Sequence, residues 1–182
     1  TPMDRRRDAA AAVAELILFV ERRAAADGDS VGTVGMLQVP NGSINVVPGR
    51  CLFSLDLRAP KNTQRDTLAN DVLAELAAIC MRRGVHHSVT ENMRASAAPS
   101  APEWQARWEK AVAALGVPLH HMPSGAGHDA MKLHEIMPQA MLFVRGLNSG
   151  ISHNPLESST SDDMQLAVDA FLHLLEQLSI TP

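Results

Sequence analysis

Three groups of residues in this 182-residue chain combine types and spacings that could do chemistry. The first is Pro123-Ser124-Gly125-Ala126-Gly127-His128-Asp129-Ala130. Gly125, Ala126 and Gly127 are small enough for a backbone to approach a ligand closely, and the first N–H groups of a following helix could hold an anion. Taken alone, a Gly-rich turn is equally well explained by local chain geometry. The second group, Gly150 to Glu157, carries His153 in a loop just after an apolar run. A neutral imidazole placed there can ligate a metal, whereas an isolated loop histidine can also be a plain surface residue. Glu157 could orient it or help cap the next helix. The third group pairs Asn45 with Arg58 around the Pro48-Gly49 break. The guanidinium is a planar fork suited to a carboxylate, and the amide both donates and accepts. The plainer alternative is that Arg58 pairs with a surface acid and Asn45 serves a turn.

The remaining histidines (His86, His87, His120, His121, His134 and His173) show no metal-ligand spacing and read as surface residues. Ser158 and Ser159 lack the strand–turn–helix setting of a nucleophilic serine.

The elements that must position these groups follow from periodicity. Val13, Leu16, Ile17, Val20 and Ala24 recur at helical spacing and predict a helix between Asp4 and Ala26. Val31 to Val39 reads as a strand, Pro40-Asn41-Gly42 as a turn, and Cys51 to Arg58 as a half-buried strand. In the latter, Phe53, Leu55 and Leu57 point one way and Ser54, Asp56 and Arg58 the other. A helix from about Thr63 to Arg83 presents Leu68, Val72, Leu76, Ile79 and Cys80, and Val85 to Ala95 is a third strand candidate. Helices packed on one face of a small antiparallel sheet would bury those stripes, which gives an α+β lobe.

Ser96 to Pro102 reads as a linker. Beyond it come a helix from Glu103 to Leu115, a short strand from Ala140 to Val144, and a helix from about Ser161 to Leu178. Met164, Val168, Phe171, Leu172 and Leu175 form the apolar face of that last helix, and Thr160 with Asp163 could box its start. This second half has too few strands to close a catalytic core by itself.

Composition narrows the function classes. A net charge of −4, scattered Lys and Arg, and 3% aromatics with no Tyr leave neither a basic stripe nor a stacking platform for nucleic acid. No apolar stretch approaches the roughly 20 residues that span a bilayer. Cys51 and Cys80 read as two buried thiols, consistent with a cytoplasmic protein. The chain opens at Thr1 with neither an initiator Met nor a signal-peptide pattern, and is expected to begin inside a longer protein.

In this order, the groups resemble the dinuclear-metal N-carbamoyl-L-amino-acid hydrolase and allantoate amidohydrolase group of the aminoacylase/carboxypeptidase-type metallopeptidase superfamily. Thr1 to Ala9 resembles the entry into the first helix of that group's lid, or dimerisation, domain. Asn45-Val46-Val47-Pro48-Gly49 and Phe53 to Arg58 resemble its substrate-clamping strands, and Ser124 to Ala130 and Gly150 to Glu157 its two loops near the metal site.

The resemblance implies an α+β lid over residues 1–97, two helices on a small antiparallel sheet, followed over residues 98–182 by the C-terminal α/β remnant of a metallopeptidase-like catalytic domain. It implies that His153 ligates one of two divalent transition metals (Zn, Mn, Co or Ni), and that Asn45 and Arg58 bind the substrate's carboxylate and amide, in their own site or by reaching into the partner subunit's. The Gly125-to-Gly127 backbone would approach the substrate, with His128 and Asp129 supporting the loop. The implied reaction is hydrolysis of a ureido or carbamoyl C–N bond in an N-carbamoyl-L-amino acid, with allantoate and ureidopropionate as neighbouring substrates, in a homodimer formed through the lid.

The other metal ligands and the general-base Glu are expected upstream of Thr1, so the 182-residue chain by itself is expected to be inactive. The lid's first strand would also be missing, leaving a three-stranded sheet with one open edge. A non-catalytic dimerisation or binding module is the alternative of a different class.

Overall fold

A computed structural model describes residues 1–179. They fall into two compact units, one comprising Thr1–Ala97 with Pro123–Ala126, the other Ala98–Met122 with Gly127 onward.

The first unit is built on two helices, α1 (Ala9–Ala25) and α2 (Asn62–Arg83). The helical pattern was expected to begin near Asp4, but the chain makes a 3-10 turn over Met3–Arg5 and α1 starts only at Ala9. Asp8 sets that boundary, because its carboxylate accepts the Ala11 N–H at 3.0 Å as an N-cap. At the far end of α2, Gly84 takes a left-handed conformation (φ 65°), and the Val85 N–H returns to the Cys80 carbonyl at 3.0 Å. Glycine adopts that conformation without a Cβ penalty, so the helix stops there.

Leu16, Val20, Leu68, Val72 and Ile79 are at most 2% exposed and form the core. Each such side chain contributes roughly 1.5–3 kcal/mol by leaving water. Two sets of ion pairs fix the helix register. Glu15 meets Arg82 and, at 2.7 Å, Arg83, while Arg23 meets Asp71 at 2.8 Å. As α1 advances α2 recedes, so the two helices are antiparallel.

A two-stranded antiparallel ribbon covers this helix pair. Strands β1 (Val31–Thr33) and β4 (Asp56–Arg58) pair Val31 with Arg58, and β2 (Leu37–Gln38) and β3 (Leu52–Phe53) pair Gln38 with Leu52. Between the two ladders Val34, Gly35 and Met36 face only Ser54 and Leu55, which is a bulge. The Ser54 hydroxyl closes it by accepting the Met36 N–H at 2.9 Å, while the Ser54 N–H donates to the Met36 carbonyl at 3.0 Å. Phe53, Leu55 and Leu57 pack on the helix core, as the alternation predicted. Gly32 lets β1 lie close on α1: a Cβ there would fall 2.7 Å from Val20 Cγ1.

The expected third strand, Val85 to Ala95, does not form. Val85 packs on the core, but the segment after it joins no ladder among the described residues. Apolar–polar alternation makes a strand only where a neighbour completes its backbone hydrogen bonds. Side chains hold the segment instead. Arg94 bridges Glu91 and Asp66 at 2.6 and 2.8 Å, Arg65 donates to the Ala95 carbonyl, and Asn62 accepts the Ala97 N–H at 2.8 Å. The three-stranded sheet is thus corrected to a bulged two-stranded ribbon.

The second unit contains α3 (Pro102–Ala114), the single turn α4 (Ala130–Leu133) and α5 (Ser161–Ser179). Pro102 opens α3 at a position where its missing N–H costs nothing. Thr160 and Asp163 box the start of α5 as predicted: the Thr160 hydroxyl accepts the Asp163 N–H at 3.0 Å and donates to its carboxylate at 2.6 Å. Helices α3 and α5 pack through Ala111, Ala170 and Leu174, with Trp108 and Phe171 rings 5.6 Å apart. The expected strand from Ala140 to Val144 likewise joins no ladder among the described residues, and Phe143 and Val144 stay exposed. None of the helices in the described residues is long and apolar enough to cross a membrane.

Candidate functional site

Arg58 is the terminal residue of β4, and strand alternation puts its side chain on the same face as Asp56, with Leu57 turned to the core between them. The two side chains form a side-on fork. Arg58 Nε donates to Asp56 Oδ1 at 2.7 Å and Nη2 donates to Oδ2 at 3.0 Å. The remaining terminal nitrogen, Nη1, donates to the Gly125 carbonyl at 2.7 Å.

The plain alternative, an acid partner for Arg58, is therefore present, and the guanidinium also reaches the Gly-rich loop. The hydrogen bonds from Arg58 hold the Asp56 carboxyl below its usual range, and the reciprocal bonds raise the guanidinium. Both groups stay charged at neutral pH. In the sequence Asp56 shows as an outward-facing residue of the Phe53-to-Arg58 stretch, with no role of its own. The signal for its role is the Asp-Leu-Arg spacing on one strand face.

Asn45 sits in the turn beyond the Gln38–Leu52 rung and is exposed. The ribbon separates it from Arg58. The rungs at Leu52 and Arg58 are roughly 20 Å apart at about 3.3 Å per residue. The chain near Asn45 is tied instead to the start of α1, where the Pro48 carbonyl accepts the Ala9 N–H at 2.9 Å. The structure does not bring Asn45 and Arg58 into one clamp.

In the Gly-rich loop, the Ser124 hydroxyl donates to the Ala126 carbonyl at 3.3 Å. No side-chain atom lies within 4 Å of a Cβ built on Gly125, so that position is open. His128 Nδ1 accepts the Ala130 N–H at 3.1 Å, which points the ring into its own turn at the start of α4. Gly127 and His128 belong with the second unit.

His153 occupies a left-handed backbone conformation (φ 56°), uncommon for a residue with a Cβ. Its N–H donates to Glu157 Oε2 at 2.8 Å. Glu157 thus fixes the backbone at His153 instead of orienting the ring. Two further bonds brace the loop, from Leu147 N–H to the Ser158 carbonyl at 2.8 Å and from the Asn148 amide to the Leu156 carbonyl at 2.7 Å. The result is an exposed imidazole displayed on a strained but well-tied loop, an arrangement typical of functional positions.

The described residues contain no group of three or more His, Cys, Asp or Glu side chains that could hold a metal. His153 could supply one ligand, and a dinuclear cage is not built by these residues alone. Neither cysteine is poised as a nucleophile, since burial raises both thiols, with Asp8 adding to the effect at Cys51.

A family model for peptidase family M20/M25/M40 matches residues 5–177. The chain belongs to this family. It is 39% identical over 180 residues to an N-carbamoyl-L-amino acid amidohydrolase from Geobacillus stearothermophilus, covering 98% of this chain and 44% of that protein. It is 31% identical over 147 residues to an allantoate amidohydrolase from Bacillus subtilis, covering 81% of this chain and 35% of that one. Among solved structures, an amidase of the hydantoinase/carbamoylase family from Burkholderia multivorans superposes with a TM-score of 0.91 at 31% identity, over 96% of this chain and 43% of that chain. This M20-family chain thus spans less than half the length of the relatives it matches.

Proposed function

We propose that the protein containing this M20-family chain hydrolyses the C–N bond of a ureido or carbamoyl group in a small substrate that carries a carboxylate, N-carbamoyl-L-amino acids foremost. The observation that carries the reading is Arg58, a guanidinium at a strand end held against the Gly125 carbonyl. A planar fork next to an open glycine backbone suits a flat carboxylate whose neighbouring amide must come close to the loop. The similarity to an N-carbamoyl-L-amino acid amidohydrolase supports the choice of substrate. Allantoate is the second reading; it too pairs a carboxylate with ureido groups, and the similarity to an allantoate amidohydrolase favours it.

In this reading residues 1–97 form the lid and residues 98–182 the C-terminal part of the catalytic domain. Asn45, at the other end of the ribbon from Arg58, would serve the amide of a substrate held in the second copy of a homodimer, the backbone at Gly125, Ala126 and Gly127 lies along the substrate, and His128 braces the loop. Enzymes of the family are typically dinuclear and metal-dependent. Here His153 would contribute one imidazole, the remaining ligands and the general base coming from residues outside this chain. The metals, when bound, would polarise the ureido carbonyl and supply the activated water. The lid would join two copies, its ribbon offering open edges for pairing. Free Cys51 and Cys80 favour a reducing, cytoplasmic setting.

The test is to express the full-length protein that encompasses these residues, load it with Mn, Co, Ni or Zn, and follow ammonia or amino-acid release. Turnover of N-carbamoyl-L-amino acids well above that of dipeptides is the expected result. Turnover of dipeptides alone would remove the carbamoyl assignment.

A further inference from the structure

Resting on the reading of Arg58 as the carboxylate anchor, we propose that Asp56 is the positioning residue that aims Arg58 at the substrate and fixes how the carboxylate is taken. A guanidinium has five N–H donors in a fixed plane. Asp56 takes the side-on pair, at 2.7 Å from Nε and 3.0 Å from Nη2. Gly125 takes one donor of Nη1 at 2.7 Å. Among the described residues this leaves one donor on each terminal nitrogen. A carboxylate is then received by the terminal nitrogens, because the side-on face is filled by Asp56.

Arg58 is about half exposed, with a side-chain relative exposure of 52%. A long side chain so placed samples many rotamers, and each substrate binding event would have to order it afresh. Asp56 imposes that order beforehand. The strand makes the pairing rigid: residues two apart share a face, and Leu57 between them is anchored in the core. The Gly125 contact then sets where the free end lies, beside the Gly-rich loop.

Electrostatics opposes this benefit and makes the inference testable. Asp56 is itself an anion beside an anion-binding group, so removing it brings less repulsion for a substrate carboxylate. If positioning dominates, loss of Asp56 weakens substrate binding; if charge dominates, loss strengthens it. The two effects have opposite signs in KM.

The experiment is steady-state kinetics on the full-length, metal-loaded protein with an N-carbamoyl-L-amino acid and with its carboxamide analogue, comparing Asp56→Ala, Asp56→Asn and Arg58→Ala. Asp56→Ala is expected to raise KM for the carboxylate substrate about fivefold to tenfold, with kcat changed less than twofold. Asp56→Asn, which keeps one acceptor for Nε, should fall between Asp56→Ala and wild type. Kinetics on the carboxamide should not respond to either change. A variant that merely folded poorly would lose active protein, and hence apparent kcat, without moving KM. If Arg58→Ala raises KM while Asp56→Ala leaves it unchanged or lowers it, the positioning role is overturned and the anchor stands. If Arg58→Ala itself leaves KM unchanged, the anchor reading fails and takes this inference with it.

Discussion

Helices α1 and α5 are similar in length, 17 and 19 residues, and both carry an apolar stripe, yet they treat it differently. In α1 the stripe is the core: Ala12, Leu16, Val20 and Ala24 are buried against α2 and the ribbon. In α5 the buried residues are Ala170 and Leu174, while Met164, Val168, Phe171, Leu172 and Leu175 are 49% to 61% exposed. Helix α5 meets α3 through Ala170, Leu174 and the Phe171 ring, and most of its apolar stripe points elsewhere. An amphipathic pattern therefore says that a face favours burial, but not which of two apolar faces a neighbour will cover. In the first unit Leu16, Val20, Leu68, Val72 and Ile79 are at most 2% exposed, whereas in the second, which has no paired strand among the described residues, the buried apolar residues are Ala111, Ala170 and Leu174.

The largest effect that would sharpen this contrast lies in the first unit. Leu68→Ala removes a side chain with no solvent exposure from the centre of the α1–α2 core. A loss of about 3 kcal/mol is expected, read as a lowered midpoint in urea unfolding at unchanged slope. A loss below about 1 kcal/mol would mean that this core is looser than its burial indicates.

The smallest effect lies on α5. Val168 is 61% exposed. In the 182-residue chain, Val168→Ser should change stability by no more than about 0.5 kcal/mol, by the same urea measurement. A cost near 2 kcal/mol would break the comparison, because it would mean that the exposed stripe is covered in solution.

Much of the helical framework was legible in the sequence because its signals are local. Leu68, Val72, Leu76 and Ile79 fix a helix by spacing alone, Gly84 ends it, and Thr160 with Asp163 marks where α5 begins. The ribbon was legible in part. Alternation correctly turned Phe53, Leu55 and Leu57 to the core, but the bulge at Met36 and Ser54 depends on how two distant segments align.

Val85 to Ala95 and Ala140 to Val144 were read as strands from composition, although a strand also needs a partner, which local sequence does not supply. At the candidate site, Arg58 and the Gly-rich loop were singled out as separate features, and their contact across 67 positions was not legible. Asn45 was paired with Arg58 because they flank one break in the chain, whereas the antiparallel ribbon carries them to opposite ends.

The most direct measurement is the preference of the full-length, metal-loaded protein for an N-carbamoyl-L-amino acid over its carboxamide, taken as a ratio of kcat/KM, before and after Arg58→Ala. With Arg58 as the anchor, wild type should favour the carboxylate by about a hundredfold, and the substitution should erase most of that preference. An Arg58→Ala protein that discriminates as sharply as wild type would contradict the assignment and move the carboxylate site away from β4.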